Sequence, residues 1–143
     1  MTAMLAIVLT VVVLRYGFGF GRVWLQEAYL WLHGSILMLG IGATLAHDEH
    51  VRIDLFYRSA GPRGRAWIDL LGVILLLLPM TATIAWTAFP YVARSWRILE
   101  GSREAGGLPG LFLFKSILLA FALLTTLQGL SLAGRSLKVL RER

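Results

Sequence analysis

The sequence predicts an all-α membrane protein: four transmembrane helices, N-in and C-in, with a short amphipathic cytoplasmic segment between helices 2 and 3. Three observations lead there. Of 143 residues, 57% are hydrophobic and 15% charged, against about 25% charged in an ordinary soluble domain. The apolar residues are clustered. Leu70 to Pro90 and Ser116 to Gly134 carry no charge, and Ala28 to Ala46 holds one histidine and nothing ionised. Each run is near the ~20 residues that a helix needs to cross a bilayer. A soluble domain of this size has too little interior for so much apolar surface.

The spans follow in order and make one integral membrane domain over residues 1–143. The first covers residues 1–20 and is interrupted by Arg15. No basic stretch precedes its apolar core and no A-x-A-like site follows, so it reads as a span rather than a signal peptide. After it, 17-GFGFG-21 lacks the G-x-G-x-x-G spacing and no strand precedes it, so it is a flexible exit and not a nucleotide site. The second span covers 28–46, with Trp24 as an interfacial anchor before it. The third covers 70–92, and Pro79 within it removes a backbone donor and predicts a kink. The fourth covers 109–133, with Pro109 suited to a first helical turn. Lys115 near its start is expected to snorkel toward the headgroups. Thr125, Gly129 and Ala133 form a small-residue stripe, as do Gly42 and Ala46, of the kind that lets helices approach closely in lipid.

Orientation comes from the short loops. One side holds Arg52, Arg58, Arg63, Arg65, Arg135, Lys138, Arg141 and Arg143, and the other Arg15, Arg22, Arg94, Arg97 and Arg103. The excess of basic residues marks the first side as cytoplasmic. The net charge of +6 is spread along these membrane faces, and no basic block with aromatic platforms points to nucleic acid. There is no cysteine, so disulfides and thiolate metal sites are excluded.

The chemistry-bearing stretches are few. In 47-HDEH-50, His47 and His50 sit at i and i+3, but a catalytic zinc needs a third ligand and an open position. His33 is about 14 residues away, roughly 20 Å along a continuous helix. The stretch reads better as the polar end of the second helix, leading into 51-VRIDLFY-57. That segment lays Val51, Ile53, Leu55 and Phe56 on the membrane surface, with Arg52 and Arg58 toward phosphates. No cofactor is expected. A carrier generally needs an ionisable group near the midplane, and none is present. Glu27 and Asp69 stand at span edges, Gln128 is expected to bond a neighbouring helix, and His33 either bonds between helices or has a function of its own. The loop 94-RSWRILEGSREAGGLPG-110 alternates charge through Arg94, Arg97, Glu100, Arg103 and Glu104, so much of it is expected to pair internally. Its functional reading is a docking surface.

Taken together, these stretches resemble the small membrane subunit of TRAP transporters, the tripartite ATP-independent periplasmic carriers. The motif 50-HVRID-54 resembles that family's H-V-R-x-D signature, and Trp24 to Glu27 its W-x-x-E entry to the second helix. The run 95-SWRILEGSREAGGLP-109, with Lys115 and 127-LQG-129, is similar to the loop of one branch. The resemblance covers nearly the whole chain and departs at 110-GLFLFK-115, where an aromatic-proline-basic pattern is commoner. It implies a scaffold subunit of a bacterial inner-membrane complex. A periplasmic solute-binding protein delivers an organic solute, and a large sodium-coupled elevator subunit moves it. Glu27, His50, Arg52 and Asp54 are the assembly candidates on this reading, and Arg97, Glu100 and Glu104 the outer-face docking candidates. The rival readings are a stand-alone four-helix transporter of the small multidrug type, a membrane metal or haem protein, and a structural subunit of another membrane complex.

Overall fold

The computed structural model describes residues 2–46 and 60–141, apart from the side chains of residue 3 and residues 42–46. The expected amphipathic segment after the second span lies outside the described residues. Among the described residues all regular structure is helical. The helices are α1 (Thr2–Phe18), α2 (Val23–Ala46), α3 (Pro62–Arg97) and α4 (Leu111–Arg141). Two of them, α3 and α4, are long and apolar enough to cross a membrane, and Met4–Phe18 is a shorter apolar helix.

Helices α2, α3 and α4 run past the expected spans, while α1 lies within its own. At ~1.5 Å per residue, α3 and α4 reach roughly 54 and 46 Å, well beyond a hydrocarbon core of about 30 Å. Charge ends an apolar run but not a helix, because water tolerates a backbone that is already hydrogen-bonded. Thus α3 starts at Pro62, before the charge-free run at Leu70, with the proline at its first position, where its missing N–H costs nothing. At the same end of the molecule α4 carries Lys138 and Arg141 in its last turn, where cations complement the helix dipole. The turn at 17-GFGFG-21 is more ordered than a flexible exit. Gly19 takes φ +64, the Phe20 N–H donates to the Leu14 carbonyl at 2.9 Å, and the Arg22 guanidinium lies 4.6 Å from the Phe20 ring centre.

The disturbance expected at Pro79 takes the form of a π-helical stretch at Val73–Leu77, just before it. Proline lacks an N–H, and its ring crowds the carbonyl four residues earlier, here that of Leu75. Widening the turn relieves that crowding. The N–H of Leu78 accordingly reaches back five residues to the Val73 carbonyl.

Among the described residues, α4 packs on both α2 and α3, α1 packs on α2, and α2 makes no contact with α3. The order is therefore an open row, α1–α2–α4–α3, rather than a closed bundle. The α3–α4 seam is the best packed. It buries Ala66, Leu70, Val73, Ala88 and Val92 against Phe121, Ala122, Thr125 and Gly129. The seam closes tightly at Gly129, where a Cβ would lie 2.6 Å from the Leu77 side chain. Of the small-residue stripe, Thr125 and Gly129 are buried and Ala133 is half-buried. Thr126 donates to Thr81 across the same seam at 3.0 Å. Elsewhere the row is thin, and Leu76 and Trp86 are 73% and 84% exposed. Apolar surface on this scale is untenable in water but is the ordinary solvated face of a helix in lipid.

Candidate partner-docking site

The densest polar structure joins the end of α3, the loop that follows, the start of α4 and the start of α2. Helix α3 ends in a Schellman motif: the Glu100 N–H donates to the Ser95 carbonyl at 3.0 Å, and the Leu99 N–H to the Trp96 carbonyl at 3.2 Å. Glycine is usual at the left-handed position of this motif, yet here Leu99 occupies it at φ 45. The turn brings the Glu100 carboxylate back over the helix end. There it accepts from Ser95 Oγ at 2.7 Å and from Lys115 Nζ at 2.5 Å. The Lys115 ammonium also sits 4.1 Å from the centre of the Tyr91 ring, a cation–π placement. The hydrogen bond from Lys115, then that from Ser95, holds the Glu100 carboxyl below its usual 4.5. Beside this pair, Trp96 Nε1 donates to Ser116 Oγ at 2.8 Å, and the Trp96 and Phe112 rings meet edge to face at 4.7 Å.

Glu27 secures the second half of the loop. Its carboxylate accepts a hydrogen bond from Ser102 Oγ and another from the Leu108 N–H at 2.6 Å. The loop is closed on itself beneath that carboxylate, with Ser102 N–H to the Leu108 carbonyl at 3.1 Å and Gly107 N–H to the Glu104 carbonyl at 3.0 Å. The space is too tight for a side chain at position 107. A Cβ there would meet Ser102 and would lie 2.7 Å from Glu27 Oε2.

These contacts place the sequence candidates. Glu27 and Glu100 hold the loop from beneath and are half-buried, while Arg97 and Glu104 are exposed. His50, Arg52 and Asp54 lie outside the described residues and follow the opposite end of α2 in sequence. Lys115 does not snorkel. It is 9% exposed and neutralised by Glu100, because the Schellman turn delivers a carboxylate to it within the helix-end cluster. The alternating loop charges do not pair with one another among the described residues. Glu100 pairs with Lys115 across the turn instead. Sequence reasoning missed Ser95, Ser102 and Gly107 as parts of the site. They were visible only as members of the quoted loop pattern. His33 is exposed and makes no hydrogen bond among the described residues, so it is not a buried interhelical bond.

Chemically, the cluster is a rigid platform at one end of the row. The Glu27 and Glu100 carboxylates are consumed in internal bonds, while Arg97 and Glu104 are exposed. No curated protein and no solved structure matches the chain. The family described as "Tripartite ATP-independent periplasmic transporters, DctQ component" matches residues 4–138, a range that takes in the whole platform and the body of all four helices. The chain therefore belongs to the DctQ component family, the small membrane component of TRAP transporters.

Proposed function

We propose that this chain is the static scaffold subunit of a TRAP transporter in a bacterial inner membrane. It crosses the bilayer four times with both termini in the cytoplasm. It buttresses a large, sodium-coupled elevator subunit that takes up an organic solute delivered by a periplasmic binding protein. Membership of a transporter-component family rather than an enzyme family supports the class, and that family works in a tripartite complex with a large membrane component and a periplasmic binding component. The observation that carries the mechanical reading is the open row α1–α2–α4–α3. A row has two broad apolar faces, and one of them can lie along a partner while the other meets lipid. That shape widens a partner's footprint in the bilayer, so that its fixed part resists the recoil of a moving part.

The two polar ends then divide the work. The Glu27-anchored loop faces the periplasm and presents Arg97 and Glu104 to the binding protein. The stretch with His50, Arg52 and Asp54 faces the cytoplasm and contacts the large subunit. The small multidrug reading needs an unengaged carboxylate within a span; Glu27 and Asp69 stand only at span edges, and Glu27 is committed to Ser102 and Leu108. Co-expression of the tagged chain with the large membrane subunit tests the proposal. Stable co-purification in mild detergent is expected, with loss of complex on Arg52→Ala/Asp54→Ala. A chain that purifies alone, leaving the large subunit fully stable and active, would contradict the scaffold role.

A further inference from the structure

Helix α1 forms one edge of the row. Among the described residues it packs only on α2, and the arginine that interrupts its apolar run, Arg15, stands in its last turn. A cleft of about 300 Å³ lies between the two helices. Arg15 and Tyr16 line it from α1 and Gln26 and Tyr29 from α2, while Val8, Val11 and Val12 continue it along α1. All four polar side chains carry hydrogen-bond donors, and none of them is engaged in a hydrogen bond or ion pair among the described residues. No carboxylate lines the cleft among those residues. Glu27, next to Gln26, is committed to Ser102 and Leu108 of the loop. The cleft is graded along its length. Its polar members flank the turn that joins α1 to α2, and Val8 stands seven residues before Arg15, about 10 Å nearer the start of α1.

We infer that this cleft binds one anionic phospholipid of the outer leaflet, its phosphate held by Arg15 with Gln26 and Tyr29 and one acyl chain laid along Val12, Val11 and Val8. The inference rests on the membrane placement in the scaffold reading above and adds a ligand to it. Three features select the occupant. A permanently charged guanidinium among neutral donors suits a phosphate, which arginine binds through two parallel hydrogen bonds. With no carboxylate in the lining, nothing receives the ammonium of an ethanolamine headgroup, so a headgroup of net negative charge, such as phosphoglycerol, is preferred. The valine end gains from apolar cover, which an acyl chain supplies and inorganic phosphate does not. A lipid seated there also fills the space beside an edge helix that has a single neighbour.

The test uses the full chain in mild detergent, titrated separately with phosphatidylglycerol and phosphatidylethanolamine, with bound lipid counted by native mass spectrometry. Phosphatidylglycerol should be held about fivefold more tightly, the preference that one cation beside an anionic headgroup gives. Arg15→Gln should erase that preference. Arg22→Gln makes the same change of charge outside the cleft, where Arg22 lies over the Phe20 ring, and should keep it. Val12→Trp, at a lining position 47% exposed, should obstruct the valine end and weaken both lipids without a change of charge. Equal retention of the two lipids by the wild type, or equal losses in Arg15→Gln and Arg22→Gln, would overturn the inference. So would full retention by Val12→Trp, or displacement of the lipid by millimolar inorganic phosphate. Release of the large subunit by Arg15→Gln with lipid retention untouched would overturn it as well, by giving the cleft to an acidic group of that partner. All of these outcomes leave the scaffold reading standing. A chain recovered outside the membrane fraction would remove the membrane placement itself, and this inference with it.

Discussion

Glu27, in the first turns of α2, accepts a hydrogen bond at 2.6 Å from the backbone N–H of Leu108, 81 residues later in the chain. One carboxylate thus ties the loop between α3 and α4 to a helix that does not touch α3. In an open row this bond does what a closed core does in a bundle, fixing the far elements relative to each other at one membrane face.

Replacing Glu27 with alanine should free the loop without unfolding the helices. Hydrogen bonds to a charged group contribute about 1.5–3 kcal/mol. We expect the amide protons of Leu108 and its neighbours to exchange at least tenfold faster in Glu27→Ala, with helical content unchanged. Unaltered protection of Leu108 would show that the carboxylate is not what holds the loop.

Gly107 tests the same contact from the loop side. In Gly107→Ala the new Cβ would press on Ser102 and Glu27, and overpacking of this kind costs about 1–3 kcal/mol. The variant should melt several degrees lower in detergent and expose the loop to protease. Alanine at Gly106, whose Cβ would meet nothing within 4 Å, strains only its own φ of +77 and should leave the Glu27–Leu108 bond in place.

Leu99 gives a prediction of the opposite sign. A non-glycine residue in the left-handed region costs about 1–2 kcal/mol, and Leu99 is 67% exposed, so little packing offsets that cost. Leu99→Gly should therefore raise the melting temperature while preserving the Schellman bonds. A lower melting temperature would mean that the leucine side chain contributes packing that its exposure does not suggest.

The Glu100–Lys115 pair makes the platform sensitive to acid. The folded carboxyl titrates below its usual 4.5, so the folded state favours the ionised form. Its stabilising contribution is complete above the unfolded value, declines as pH falls below about 4.5, and is gone once pH has passed below the depressed folded value. Trp96, bonded to Ser116 beside the pair, is a local reporter. Its fluorescence should change on acidification through that window in the wild type, and the change should be absent in Glu100→Gln. An identical transition in that variant would assign the acid response to another group.

Much of the helical order was legible in the sequence, because a charge-free run of bilayer length suits a spanning helix and little else. Pro79 signalled a disturbance in α3, and Thr125 with Gly129 marked the α3–α4 seam, since small residues are what close helix contact requires. The row order was not legible. In a membrane protein the side chains facing lipid and those facing another helix are equally apolar, so periodicity does not say which face is covered. Lys115 was misjudged for a related reason. A lysine near a helix start ordinarily reaches for water, and nothing in local sequence says that a carboxylate fifteen residues earlier folds back over it. The match to the family loop pattern contained Ser95, Glu100, Ser102 and Gly107 together, but only their geometry shows why those residue types occur there.

Solute uptake into vesicles is the most direct measurement. The purified chain reconstituted alone should show no gradient-driven accumulation. The large subunit with this chain and the binding protein should accumulate solute under a sodium gradient, and omission of this chain should reduce or abolish that uptake. Gradient-driven uptake by this chain alone, or full uptake by the other two components without it, would contradict a scaffold role.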